Sequence, residues 1–184
     1  LKGKISKSRY FVRGSNSSTF KLHATQIAEL EVQYSDIVES EEIISYDTIL
    51  PVSLYRVNRS VIESLAKQVN ASYEHNIFDG CAVLMRRLIE VLLILAYENL
   101  GIESEIKDPS GSYYLFERIS QNARNNSFLG LSRNTKPCIE KFRTLGNLSA
   151  HKIHYTCKKS YIEEVIQEYR AAIEELLFKA GLKT

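Results

Sequence analysis

The stretch Cys81-Ala-Val-Leu-Met-Arg-Arg-Leu-Ile-Glu-Val-Leu-Leu-Ile-Leu-Ala96 is apolar nearly all the way round a helical wheel. A helix with no polar face to turn to water belongs in the middle of a bundle, so this stretch predicts a helical fold built around residues 78–100. Asp79 is the expected N-cap and Gly101 the expected stop. Arg86, Arg87 and Glu90 interrupt the apolar surface, and Arg86 with Glu90 stands at i,i+4 spacing. Charges on a central helix are costly unless paired, so at least one arginine should meet Glu90 in a structural ion pair that sets helix register. The functional alternative puts one of these arginines in a cleft beside His151.

Outward from this helix the apolar period stays helical. Residues 54–73 predict a helix with Val57, Val61, Ile62, Leu65 and Val69 on one face. Residues 113–123 predict a short helix with Leu115, Phe116 and Ile119 inward, and residues 125–134 read as a loop. Pro137 suits the first turn of a further helix capped by Asn134 or Thr135. Residues 161–180 predict a last helix whose stripe is Ile162, Val165, Ile166, Tyr169, Ile173, Leu176 and Leu177, ended by Gly181. The expected class is therefore mainly α, an up-and-down bundle of about five helices over residues 51–184. Residues 1–50 read differently. Tyr10 to Arg13 is β-prone, the even positions from Phe20 to Tyr34 are mostly apolar, and Gly14 to Ser18 is a turn cluster. A small N-terminal hairpin or sheet follows, with His23 on its polar face and Leu50-Pro51 as the boundary.

With 184 residues the chain is long enough for one domain with a proper core. The longest apolar run, residues 88–96, is too short to span a membrane and contains Glu90. Three widely spaced cysteines, Cys81, Cys138 and Cys157, form neither a disulfide framework nor a zinc ligand set, so a reducing cytoplasm is the simplest compartment, and no signal-peptide pattern opens the sequence. The chain opens on Leu1, which leaves room for sequence before it. The net charge of +2 conceals strong segregation. Residues 1–28 carry six basic groups and no acid, and residues 29–50 carry seven acids and no base. Residues 118–159 hold nine Lys and Arg against the single acid Glu140, a local net of 9 − 1 = +8. Such an excess favours an anionic ligand such as a nucleic-acid backbone, with Arg133, Lys136, Lys152 and Lys158 as candidate phosphate contacts; the plain alternative is a solvated face balanced by the acidic segment.

Inside that block lies Phe142-Arg-Thr-Leu-Gly-Asn-Leu-Ser-Ala-His151. On a helix, Arg143, Asn147 and His151 fall at about 0°, 40° and 80°, one narrow face over two turns. Ile139, Phe142, Leu145 and Ile153 fall on a neighbouring arc that suits a core stripe, so the polar three flank the buried face. Histidine titrates near neutral pH, arginine offers a fixed fork of donors to phosphate, and Asn147 can orient the imidazole or hold an oxygen. These are the parts that metal-free RNA cleavage needs: a base for the 2′-hydroxyl and a cation for the phosphorane. The plain alternative is a histidine resting on the carbonyl end of a helix dipole. His154 and Cys157 follow His151 at short spacing, but no carboxylate accompanies them and no metal or other cofactor is expected. Gly146, Ser149 and Ala150 read as small residues that let this helix approach a neighbour or its own copy.

Two signatures together, Arg86-Arg-Leu-Ile-Glu90 on a long apolar helix and Phe142 to His151 roughly fifty residues later, resemble the HEPN superfamily. The likeness is closer to an uncharacterised branch often encoded beside restriction and phage-defence genes, and it covers about residues 51–181. It implies a helical bundle that commonly dimerises, and in many members a metal-independent ribonuclease whose arginine and histidine meet at the dimer interface. Asn147 and His151 match the family's polar residue and histidine. The arginine departs: the ribonucleolytic members place it directly before the polar residue, where this chain has Gly146, and the nearest is Arg143 one turn earlier. The expectation is an RNA-directed homodimer, RNA favoured over DNA, with no membrane partner and the N-terminal strands free to dock a partner protein. The alternative is a non-catalytic dimerisation or interaction domain, or an accessory of a DNA restriction system.

Overall fold

A computed structural model describes residues 11–13, 20–22 and 43–183. The chain divides into two units, Leu1–Glu42 and Ile43–Thr184. In the first, β1 (Phe11–Arg13) pairs antiparallel with β2 (Phe20–Leu22), Phe11 opposite Leu22 and Arg13 opposite Phe20. Of the segment expected to be strand-rich, residues 1–10, 14–19 and 23–42, His23 included, lie outside the described residues. The second unit is mainly helical. Its elements are α1 (Val52–Tyr55), α2 (Ser60–Glu74), α3 (Phe78–Asn99), α4 (Phe116–Asn125), α5 (Thr135–His151), α6 (Lys159–Glu163) and α7 (Ile166–Lys179), with a 3-10 turn Glu103–Ile106 between α3 and α4. Among the described residues no helix is long and apolar enough to cross a membrane.

The apolar stretch sits where its composition requires. Cys81, Ala82, Met85, Leu88, Ile89, Leu92, Leu93 and Ala96 are fully buried, and α3 packs against α2, α4, α5, α7 and the 3-10 turn. Gly101 ends α3 at φ +69, with its N–H on Glu98 O (3.1 Å) and the Ile102 N–H on Tyr97 O (3.0 Å), a Schellman closure that satisfies the last carbonyls. The other end differs from expectation. Ile77 is the N-cap and Asp79 lies in the first turn, where its carboxylate accepts the Cys157 N–H at 2.9 Å and ties α3 to the segment after α5.

Two expected helices are each broken in two. The first divides at residues 56–59, where Asn58 takes φ +53, a left-handed value that asparagine tolerates better than most residues, and α2 restarts at Ser60. The apolar face then loses Val61, which is 43% exposed, while Ile62, Leu65 and Val69 stay buried. The last helix divides at Val165, whose φ of −115 and ψ of 0 end the run before α7 begins. The expected short helix starts three residues late, at Phe116. Leu115 is its extended N-cap and stands 84% exposed, whereas Phe116 and Ile119 are buried as read.

Residues 43–50 belong to the helical unit, and a single amide holds much of the attachment. Asn70 on α2, fully buried, accepts the N–H groups of Ile49 (3.0 Å) and Leu50 (2.8 Å) and donates to Leu50 O (2.8 Å) and Asp47 (3.2 Å). Glu74 receives the Tyr46 N–H, and Arg170 of α7 donates to the carbonyls of Ile49 (2.6 Å) and Thr48 (2.8 Å). Ile49 and Leu50 are thereby driven into the core with no exposed surface. Truncating Asn70 leaves two buried N–H groups without an acceptor, so Asn70→Ala should lower stability by about 2–4 kcal/mol, read as a shifted midpoint in urea unfolding followed by circular dichroism.

Candidate functional site

The helix that carries the candidate site is anchored at its start by α7. Glu175 accepts the Ser132 N–H (2.7 Å) and the Thr135 hydroxyl, and the Ser132 hydroxyl in turn accepts the Thr135 N–H (3.1 Å). These bonds replace the expected cap: Asn134 has helical backbone angles and makes no side-chain cap bond. Pro137 occupies the first turn. Cys138, Ile139 and Phe142 point into the core, where the Phe142 ring meets Tyr169 at 4.6 Å between centroids. Leu145 is half-buried, but Ile153 is 91% exposed, because the chain leaves the helix at Lys152 and the angular position of residue 153 no longer applies.

Arg143, Asn147 and His151 do share a face. With Thr144, Leu148 and Lys152 they line one open depression of about 340 Å3. His151 and Lys152 are exposed at its rim and Asn147 is half-buried. Arg143 is less available than its spacing suggested. Its guanidinium donates to Glu140 through Nη2 (2.6 Å) and Nε (3.2 Å), and Nη1 lies 3.8 Å from Glu117 of α4. The hydrogen bond from Arg143, aided by Arg124 at 3.5 Å, holds the Glu140 carboxyl below the usual carboxylate range, and the same bond pushes Arg143 further up. Glu140 was visible three residues before Arg143. Glu117 comes from another helix, and no local pattern could announce it.

Position 146, directly before Asn147, has no room for a side chain. A Cβ there would stand 2.7 Å from Cβ and Cδ of Arg86 and 3.2 Å from Ala82 O, so the glycine is what lets α5 lie against α3. Of the two expectations for the small residues, approach to a neighbouring helix or to a second copy, Gly146 meets the first within the chain, and Ala150 faces solvent. Arg86, pressed on Gly146, lies 3.8 Å from Glu90 and 5.0 Å from the Phe116 ring centroid. Burial raises the Glu90 carboxyl against the opposing pull of Arg86 and Arg87. Arg87 is exposed.

The basic block thins out in three dimensions. Lys141 pairs with Glu168 (2.6 Å), Lys159 with Glu163 (3.5 Å), and Arg124 and Arg143 with Glu140. Among the described residues Arg118, Arg133, Lys136, Lys152 and Lys158 have no carboxylate partner. They do not form one patch, since Arg133 and Lys136 flank the start of α5 and Lys152 follows its end, roughly 25 Å away along the axis. Lys158 is the N-cap of α6, its ammonium 6.0 Å from the Tyr161 ring centroid. His154 is exposed and Cys157 buried, and among the described residues no group of three or more His, Cys, Asp or Glu is placed to hold a metal ion. The chain has no significant match among protein-family models, curated proteins or solved structures.

Two measurements probe this arrangement. Gly146→Ala should destabilise by about 1–3 kcal/mol despite alanine's better helix propensity, because the α3–α5 contact has no room for a methyl; a raised melting temperature would contradict the packing. Glu140→Gln should cost about 1 kcal/mol at neutral pH. Because the folded carboxyl titrates below its unfolded value of about 4.3, that difference is present above this pH and should vanish as pH falls through the folded value, visible as converging melting curves.

Proposed function

We propose that this chain is a HEPN-like up-and-down helical bundle that engages RNA at the C-terminal half of α5. One observation carries the reading: Arg143, Asn147, His151 and Lys152 line the same depression. An exposed imidazole beside an ammonium with no carboxylate partner among the described residues suits a phosphodiester, whose oxygens accept from both and from the Asn147 amide. In a homodimer that brings two such faces together, His151 of one copy takes the 2′-hydroxyl proton and an arginine steadies the phosphorane, the chemistry of a metal-independent endoribonuclease.

A second reading is favoured by the ion pairs around Arg143. A guanidinium already bonded to Glu140 and 3.8 Å from Glu117 of α4 is engaged within the chain, which suits a non-catalytic dimerisation or interaction domain. In that reading the residues of the face contribute stability and contact area. A role beside a DNA restriction system predicts instead a steep salt dependence of duplex DNA binding.

Incubation of the full chain with unstructured RNA in EDTA separates these readings. Cleavage that His151→Ala abolishes establishes the nuclease. Binding without cleavage, with Lys152→Ala reducing the slope of log K against log salt by about 0.7, establishes an RNA-binding domain. Intact RNA together with no binding, and a change of oligomeric mass in Arg143→Ala, establishes the interaction domain.

A further inference from the structure

A second depression, of about 600 Å3, lies on the side of α4 bordered by the 3-10 turn, and its lining is unlike the first. It is lined by Arg118, Gln121 and Asn125 from the exposed face of α4, by Glu105 of the 3-10 turn and by Phe128. Phe128 is 78% exposed, so a face of its ring is open to a stacking partner. The ring is not on a slack loop. The Asn126 side chain accepts the N–H groups of Phe128 (2.9 Å) and Leu129 (3.1 Å) and donates to Glu105 (2.7 Å), while Leu129 and Leu131 on either side of Gly130 are buried. The backbone is therefore held while the ring is presented outward.

Arg118 is equally prepared. Its guanidinium stacks over the Tyr114 ring at 3.4 Å and has no carboxylate partner among the described residues. Stacking occupies the face of the guanidinium and leaves its in-plane N–H groups for an anion. Gln121 and Asn125 supply amide donors and acceptors, and Glu105 keeps acceptor capacity beyond its bond to Asn126. A flat aromatic ring, an arginine, exposed amides and a carboxylate acceptor around one hollow match the needs of a nucleobase with its phosphate: a face to stack on, partners for the base edge, and a cation for the phosphate.

We propose that this hollow binds an unpaired nucleobase of single-stranded RNA, with the base stacked on Phe128, its edge met by Gln121, Asn125 and Glu105, and its phosphate held by Arg118. The source of the base rests on the RNA reading above; the site itself does not. A duplex cannot use it, because paired bases expose no face to Phe128.

Two arms test it on the full chain. In the first, GMP is titrated into labelled protein and followed by NMR. Shifts of the backbone amides of residues 118–128 that disappear in Phe128→Ala and return in Phe128→Tyr support the site, and no shift at millimolar GMP overturns it. In the second, a labelled unstructured RNA of about ten nucleotides is bound, and Phe128→Ala should weaken it roughly tenfold while leaving duplex RNA unchanged. Equal affinity of Phe128→Ala and wild type for the single strand, with Lys152→Ala impaired, overturns the hollow as an RNA contact and spares the α5 face. Absence of any RNA binding by wild type overturns the RNA reading, and the GMP arm then decides the hollow alone.

Discussion

The structure depends on keeping α3 dry. A helix apolar round most of its circumference gains stability only when other elements close over every side of it, and α2, α4, α5 and α7 do so here. Each neighbour then has one face committed inward and one left over. The candidate chemistry of this chain lies on what is left over: the outer face of α5 with Arg143, Asn147 and His151, and the outer face of α4 with Arg118, Gln121 and Asn125.

The closeness of α3 and α5 has a direct effect on the site. Gly146 stands where a side chain would strike Arg86, so the residue before Asn147 cannot be an arginine without separating the two helices. The arginine of the face stands one turn earlier, at position 143, within reach of Glu140 and Glu117. Packing of the core thus limits what the face can carry. The contact that seats α5 excludes a side chain at position 146, Arg143 is engaged in ion pairs, and Lys152 beyond the helix end remains without a carboxylate partner among the described residues.

The segment before α1 shows the opposite case, in which polar bonding organises apolar burial. Residues 43–50 have no regular structure, yet Asn70, Glu74 and Arg170 satisfy their backbone groups and allow Ile49 and Leu50 to be fully buried. Backbone can enter a core outside a helix or sheet only if side chains take over the missing hydrogen bonds. Asn70 does this for both Ile49 and Leu50 from its place on α2.

Much of the helical fold was legible in the amino-acid order because it rests on local periodicity. The apolar run of α3, the stop at Gly101, the inward stripes of α5 and α7 and the shared face of Arg143, Asn147 and His151 all follow from helical angles and side-chain type. Tertiary structure alone decided where helices break, at Asn58 and Val165, since a break costs little once the flanking turns pack. It also decided that Asp79 bonds Cys157 instead of capping α3, and that Ile153 and Leu115 face water. The electrostatic state of the candidate site belongs to this second group. Sequence counts charges along the chain, whereas Coulombic and hydrogen-bond partners are set by distance in space: Glu163 meets Lys159 locally at i,i+4, but Glu117 and Glu168 reach the basic block only after the helices have packed.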